Sequence, residues 1–144
     1  MSVVRHILDR KGREVATISP QASLADAVHM LADRRIGAVV VSSGDRDIAG
    51  ILSERDIVRA VARLGAGALD SSVAETMTSK VVTCAETDSI GDLMERMTEG
   101  KFRHLPVVEK GKLVGIISIG DVVKSRVAEM EHEQSALKDY IMNS

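Results

Sequence analysis

The chain writes one pattern twice. Val15, Thr17, Ser23, Asp26, Val41, Gly50, Ile51, Ser53, Asp56 and Val58 find counterparts in Val81, Thr83, Ser89, Asp92, Val107, Gly115, Ile116, Ser118, Asp121 and Val123. The copies lie 66 residues apart, falling to 65 only in the loop after Val41 and Val107. A repeat constrains architecture before any single residue is interpreted, because each copy must form an equivalent unit. A copy of about 45 residues is too small to bury an adequate core alone. The two units are therefore expected to pack together as a pseudo-symmetric body with paired, equivalent clefts.

Each copy reads β-α-β-β-α. In the first, Val15–Ile18 is a brief strand and Ser23 caps a helix with Leu24, Ala27, Val28 and Leu31 on one stripe. Ala38–Val41 reads as a strand buried on both faces, paired in a hairpin with Ile48–Leu52. A helix from Glu54 follows, with Ile57, Val58, Val61 and Ala62 expected inward. The second copy offers strand Val81–Cys84, helix Ser89–Thr98, strands Leu105–Val108 and Leu113–Ser118, then a helix from Ile119. This divides the chain into an N-terminal helix (1–14), a first unit (15–64), a linker with a short helix (65–80), a second unit (81–125) and a helical tail (126–144). The N-terminal helix is read at Val3–Arg10, and Ser72-Val73-Ala74-Glu75 looks like a capping box opening the linker helix. Gly65-Ala66-Gly67 follows a helix rather than a strand, which makes it a linker and not a phosphate loop.

In the tail, Val123, Val127, Met130, Gln134, Leu137 and Ile141 recur in steps of four and three. Two readings fit this seam: Val123 and Val127 pack on the core and the rest is solvated, or the seam associates with a partner helix.

Aromatic residues make up 1% of the chain and apolar residues 44%, so the core is aliphatic and base-stacking surfaces for single-stranded nucleic acid are unsupported. A net charge of -2 provides no bulk basic field for nucleic acid or anionic membranes. The single Cys84 excludes an internal disulfide and fits a reducing, cytoplasmic setting, and no apolar run approaches membrane-spanning length. His6, His29 and His132 sit on helical stretches without paired ligand spacing, so no metal site is expected.

The chemistry concentrates in Gly50-Ile51-Leu52-Ser53-Glu54-Arg55-Asp56 and Gly115-Ile116-Ile117-Ser118-Ile119-Gly120-Asp121, both Gly-apolar-apolar-Ser-x-x-Asp. Each ends a strand and opens a helix. Serine at the N-cap and aspartate three residues on satisfy the helix start. The same junction gathers N–H groups, a hydroxyl and a carboxylate, and a carboxylate placed there can accept both hydroxyls of a ribose.

The duplicated unit, these two motifs and the strand Phe102-Arg103-His104-Leu105-Pro106-Val107-Val108 resemble a tandem pair of cystathionine-β-synthase (CBS) domains of the free-standing bacterial type, over roughly residues 5–125. The resemblance implies an α+β fold in which two β-α-β-β-α units pack sheet to sheet as a disc, followed by the C-terminal helix. It implies two clefts for adenosine compounds: AMP, ATP, NAD, NADH or S-adenosylmethionine. One cleft would use Ser53, Arg55 and Asp56 with Thr83, Cys84, Arg103 and His104; the other Ser118, Gly120 and Asp121 with Thr17, Ile18, Gly37 and Ala38. Asp56 and Asp121 would hold ribose diols, and backbone near Ile18, Cys84, Ile51 and Ile116 would read the adenine edge. Arg55, Arg103 and His104 make the first cleft basic, whereas Gly37, Ala38 and Gly120 leave the second without those groups.

The implied function is regulatory and not enzymatic: nucleotide occupancy transmitted to a homodimer or tetramer, or to an unknown regulated protein, with no membrane partner. A small NAD- or nucleotide-dependent enzyme, or a nucleic-acid-associated regulator, is the competing reading.

Overall fold

A computed structural model describes residues 2–143; Met1 and Ser144, the outermost positions of the expected first and last segments, lie outside the described residues. The fold is mixed α+β, with six α-helices and two small sheets among the described residues.

In the first unit, β1 (Thr17–Ile18) runs parallel to β2 (Ala38–Val41), which pairs antiparallel with β3 (Gly50–Ser53). All of β2 is buried, as its unbroken apolar sequence requires. Helix α2 (Leu24–Arg34) starts where the Ser23 hydroxyl accepts the Asp26 N–H at 3.1 Å. Helix α3 (Glu54–Leu64) follows β3 directly. Its inward face is Ile57 and Ala60; Val58, Val61 and Ala62 are exposed, contrary to the stripe read from the sequence. Residues 65–70 form a 3-10 turn whose Ala68 is buried beneath α3, and this turn fixes which stripe faces inward.

Helix α4 (Val73–Thr76) is short, and Ser72 precedes it without a side-chain cap, so the expected capping box does not form; Ser72 is instead bridged to Ser23. In the second unit, α5 (Ile90–Gly100) leads to the hairpin of β4 (His104–Glu109) and β5 (Lys112–Ser118). Lys110 and Gly111 turn that hairpin at φ 51° and 77°, the positive pair that a tight primed turn requires. The expected strand Val81–Cys84 is reduced to a single parallel bridge from Cys84 to Val107.

Helix α1 (Val4–Lys11) precedes the first unit but buries Val4, Ile7 and Leu8 in the core of the second, with Leu93, Leu105, Val107 and Ile117. The Val4 and Arg5 N–H groups donate to the carbonyls of Asp88 and Glu86 at 3.0 and 2.9 Å. The mirror arrangement holds for α4, which precedes the second unit and buries Val73 in the core of the first. Its first turn is tied there by Val73 N–H to Ala22 carbonyl at 2.8 Å. Each copy thus completes its core with the segment written before the other.

The final helix α6 (Ile119–Met142) buries Val122 and Ser125 and then runs outward. Val123 and Val127 are exposed, so they do not pack on the core. The remaining apolar seam positions Met130, Leu137 and Ile141 are exposed as well.

Candidate functional site

Both strand-to-helix junctions have the same atomic arrangement. The Ser53 hydroxyl accepts the Asp56 N–H at 3.2 Å, while Asp56 Oδ2 accepts the Ser53 N–H at 3.0 Å. At the second junction the corresponding distances are 3.2 and 2.9 Å between Ser118 and Asp121. These reciprocal bonds satisfy two helix N–H groups and fix each carboxylate at the mouth of its helix.

The first junction opens into a cleft of about 270 Å³ between the two units. Ser53, Arg55, Asp56, Arg103 and His104 line it together, as grouped from the sequence, and Ile51 joins them. Thr83 and Cys84 do not: Val81 and Val82, two residues earlier, form that wall. The reason is strand pairing. The Cys84 N–H donates to Pro106 at 3.0 Å and its carbonyl accepts from Val108 at 2.8 Å, which turns the thiol into the core and ties up the backbone. Burial, with Asp88 nearby, pushes that thiol up to about 12.

The lining also includes Arg59, Thr78, Lys80, Lys101 and Phe102, none of which lies in the repeated motif. With Arg55 and Arg103, the cleft carries five cations against the carboxylates of Glu54 and Asp56, a local basic site on an acidic chain. Phe102 is the sole phenylalanine and joins this polar ring to an apolar wall with Ile51, Val81 and Val82.

A second cleft of about 610 Å³ holds Gly37, Ala38, Ile116 and Ser118 from the expected set. Thr17, Ile18, Gly120 and Asp121 are not on its wall. Thr17 and Ile18 are paired with Val40 and Val41, and Ile18 is buried, so Val15 and Ala16 take their place at the same two-residue displacement. Asp121 is covered by Lys11, whose ammonium contacts its Oδ2 at 2.7 Å. Burial alone would raise the Asp121 carboxyl; the hydrogen bonds from Lys11 and Ser118 outweigh it and hold the group below the usual carboxylate range.

The second cleft is also not stripped of basic groups, as Gly37, Ala38 and Gly120 suggested. Lys11, Arg34 and Arg35 line it; among the described residues Glu14 is the one carboxylate on that wall, and Asp121 lies behind Lys11. Lys11 arrives from the crossed-over α1, which no alignment of the copies reveals. Arg35 had a signal: Lys101 stands 66 residues later, and both close a helix in the left-handed conformation at φ 54° and 57°.

The clefts share a wall, since Gly37 and His104 line both. A Cβ on Gly37 would fall 2.7 Å from Glu54 Oε1 and 3.3 Å from His104 Cε1, so only glycine fits there without displacement. Burial is the main cause holding His104 below the ordinary imidazole value, with Glu54 and Asp121 opposing and Lys11 and Arg103 reinforcing the shift. Among the described residues no group of three potential metal ligands exists, and no helix is long and apolar enough to cross a membrane.

The family model of the CBS domain matches the chain twice, over residues 4–63 and 72–128. A crystal structure of a CBS-domain-containing protein from Agrobacterium tumefaciens is 51% identical, with a TM-score of 0.85 over 87% of this chain and 99% of that one. A CBS domain protein from Pyrobaculum aerophilum, solved in complex with AMP, is 30% identical with a TM-score of 0.73, covering 83% of this chain and 89% of its own. The mitochondrial CBS domain-containing protein CBSX3 of Arabidopsis thaliana is 35% identical over 81% of this chain, which spans 58% of that relative's length. Both matched segments begin at the helices that cross between units, α1 and α4, and both carry the Ser-x-x-Asp junction: the chain belongs to the CBS domain family, as a tandem pair.

Proposed function

We propose that this CBS pair is a regulatory module that binds an adenine nucleotide, AMP, ATP or NAD(H), in the clefts between its units. The observation that carries the reading is the first cleft, where a helix-fixed carboxylate, Asp56, stands inside a ring of five cations beside an aliphatic wall. A ribose diol suits the carboxylate, a phosphate suits the guanidinium groups of Arg55 and Arg103, and a purine suits the wall of Ile51, Val81, Val82 and Phe102. The AMP complex of the Pyrobaculum relative supports the same ligand class. CBS pairs are generally regulatory rather than catalytic, and occupancy is read out by a change in assembly or by a regulated protein.

Assembly with a second copy is part of the proposal. It is supported by exposed Val58 and Leu64 on α3 and by the exposed seam of α6, Val123, Val127, Met130 and Leu137. The test is native mass spectrometry of the purified protein followed by calorimetry against AMP, ATP, NAD and NADH. Arg103→Ala is expected to weaken nucleotide binding by about tenfold or more. Unchanged affinity would remove the first cleft from the proposal.

A further inference from the structure

The two Ser-x-x-Asp carboxylates differ in their cationic partner, which the repeat conceals. Lys11 ends α1 and reaches into the second cleft, donating to Asp121 Oδ2 at 2.7 Å and to the Ile116 carbonyl at 3.1 Å. Its side chain is 35% exposed and that of Asp121 25%, so the pair is half-sheltered rather than freely solvated. The first cleft has a lysine in the equivalent place. Leu8 approaches Gly115 as Met77 approaches Gly50, so Lys80, three residues beyond Met77, corresponds to Lys11. Lys80 lines its cleft, yet among the described residues Asp56 forms no ion pair. The difference is helical: α1 continues to Lys11, whereas α4 stops at Thr76 and leaves Lys80 on an irregular segment.

We propose that Lys11 is the specificity-determining residue of the second cleft, a gate that favours phosphorylated nucleosides over neutral ones. This rests on the reading of that cleft as a nucleoside site. In the closed state the ammonium holds both acceptors, the Asp121 carboxylate and the Ile116 carbonyl, that a nucleoside entering there would require. A neutral nucleoside must strip Lys11 from Asp121 and leaves the ammonium without a counter-charge. A phosphate supplies that counter-charge, and Arg34 and Arg35 line the same cleft to share it. Exchange of partners, rather than loss of one, is the basis of the selectivity.

The test is methyl NMR on isoleucine-labelled protein, with Ile116 reporting the second cleft and Ile51 the first, titrated with adenosine and with AMP. The variant is Lys11→Met, which keeps the aliphatic stem and leaves the buried residues of α1 and the Ser118 cap of Asp121 in place. At Ile116, Lys11→Met is expected to tighten adenosine about threefold and to weaken AMP by a similar factor, so the AMP preference falls about tenfold. Affinities at Ile51 stay at wild-type values. Equal adenosine affinity at Ile116 in the two proteins overturns the gate while leaving the nucleoside site intact, and weaker adenosine binding in the variant overturns it by making Lys11 a direct ligand. Silence of Ile116 toward both ligands in both proteins overturns the reading of the cleft itself, and the gate with it.

Discussion

The crossing of α1 into the second unit can be tested at one contact, where Leu8 lies against Gly115 of β5. Leu8 is fully buried, and a Cβ on Gly115 would fall 2.7 Å from its Cδ2 and 3.0 Å from its Cδ1. Gly115→Ala therefore has two opposed effects. Replacing a strand glycine lowers the entropy of the unfolded chain, a gain of about 0.5–1 kcal/mol. Overpacking a buried leucine that cannot move away costs about 1–3 kcal/mol, so the net effect is a loss of up to about 2.5 kcal/mol, centred near 1 kcal/mol. Leu8→Ala on its own costs about 2–4 kcal/mol by emptying a closed site. In the Leu8→Ala background the clashing methyls are gone, and Gly115→Ala becomes neutral or stabilising. The sign reversal corresponds to a coupling of about 1–3 kcal/mol. Urea unfolding followed by far-ultraviolet circular dichroism on the four proteins measures it, with Leu8→Val as the milder partner if Leu8→Ala leaves too little native baseline. Equal destabilisation by Gly115→Ala in both backgrounds would refute the packing of α1 against β5.

Four further outcomes are expected. Ser53→Ala and Ser118→Ala each remove a hydroxyl cap and should cost about 1 kcal/mol in urea unfolding, more than Ser72→Ala, whose side chain caps nothing. His104 has a depressed pKa when folded, so it contributes stability that is complete above its ordinary value of 6.5 and declines as pH falls below it; His104→Gln should flatten that part of the stability curve. Asp121, depressed below 3.8, contributes stability that is lost only under stronger acid, and Asp121→Asn should remove that second decline. Cys84, pushed up to about 12 and buried, should resist alkylation in the native protein at pH 8 and react at once in urea; rapid native labelling would contradict its place in the core.

The repeat made the frame legible because equivalent residues must adopt equivalent conformations: Ser23 and Ser89, Ser53 and Ser118 all became helix caps. Equivalence does not report proximity, however. Nothing in the alignment of the copies says that the residues before one unit complete the other, so Lys11 was invisible as a member of the second cleft. The two-residue displacement of the cleft wall, to Val15–Ala16 and Val81–Val82, has the same origin. Motif matching placed the strand, but pairing of Ile18 with Val41 and of Cys84 with Val107 decides which end stays open. On α3, the stripe of Ile57, Val58, Val61 and Ala62 was a fair helical pattern, yet the side that is buried depends on the 3-10 turn beneath it. Helical period fixes faces; tertiary neighbours choose among them.

The crossed helices also give the two units unequal histories. Every member of the first core lies between Ala16 and Met77, so that cluster is complete as soon as this stretch has left the ribosome. The second core runs from Val4 to Val122, and its first contributors are synthesised before all the others. At about 5–20 residues per second, Val4, Ile7 and Leu8 wait several seconds for the strand they cover. Symmetric in space, the protein is asymmetric in time: one half can close once Met77 has emerged, and the other closes only when Val122 and the strands before it return to Val4, Ile7 and Leu8.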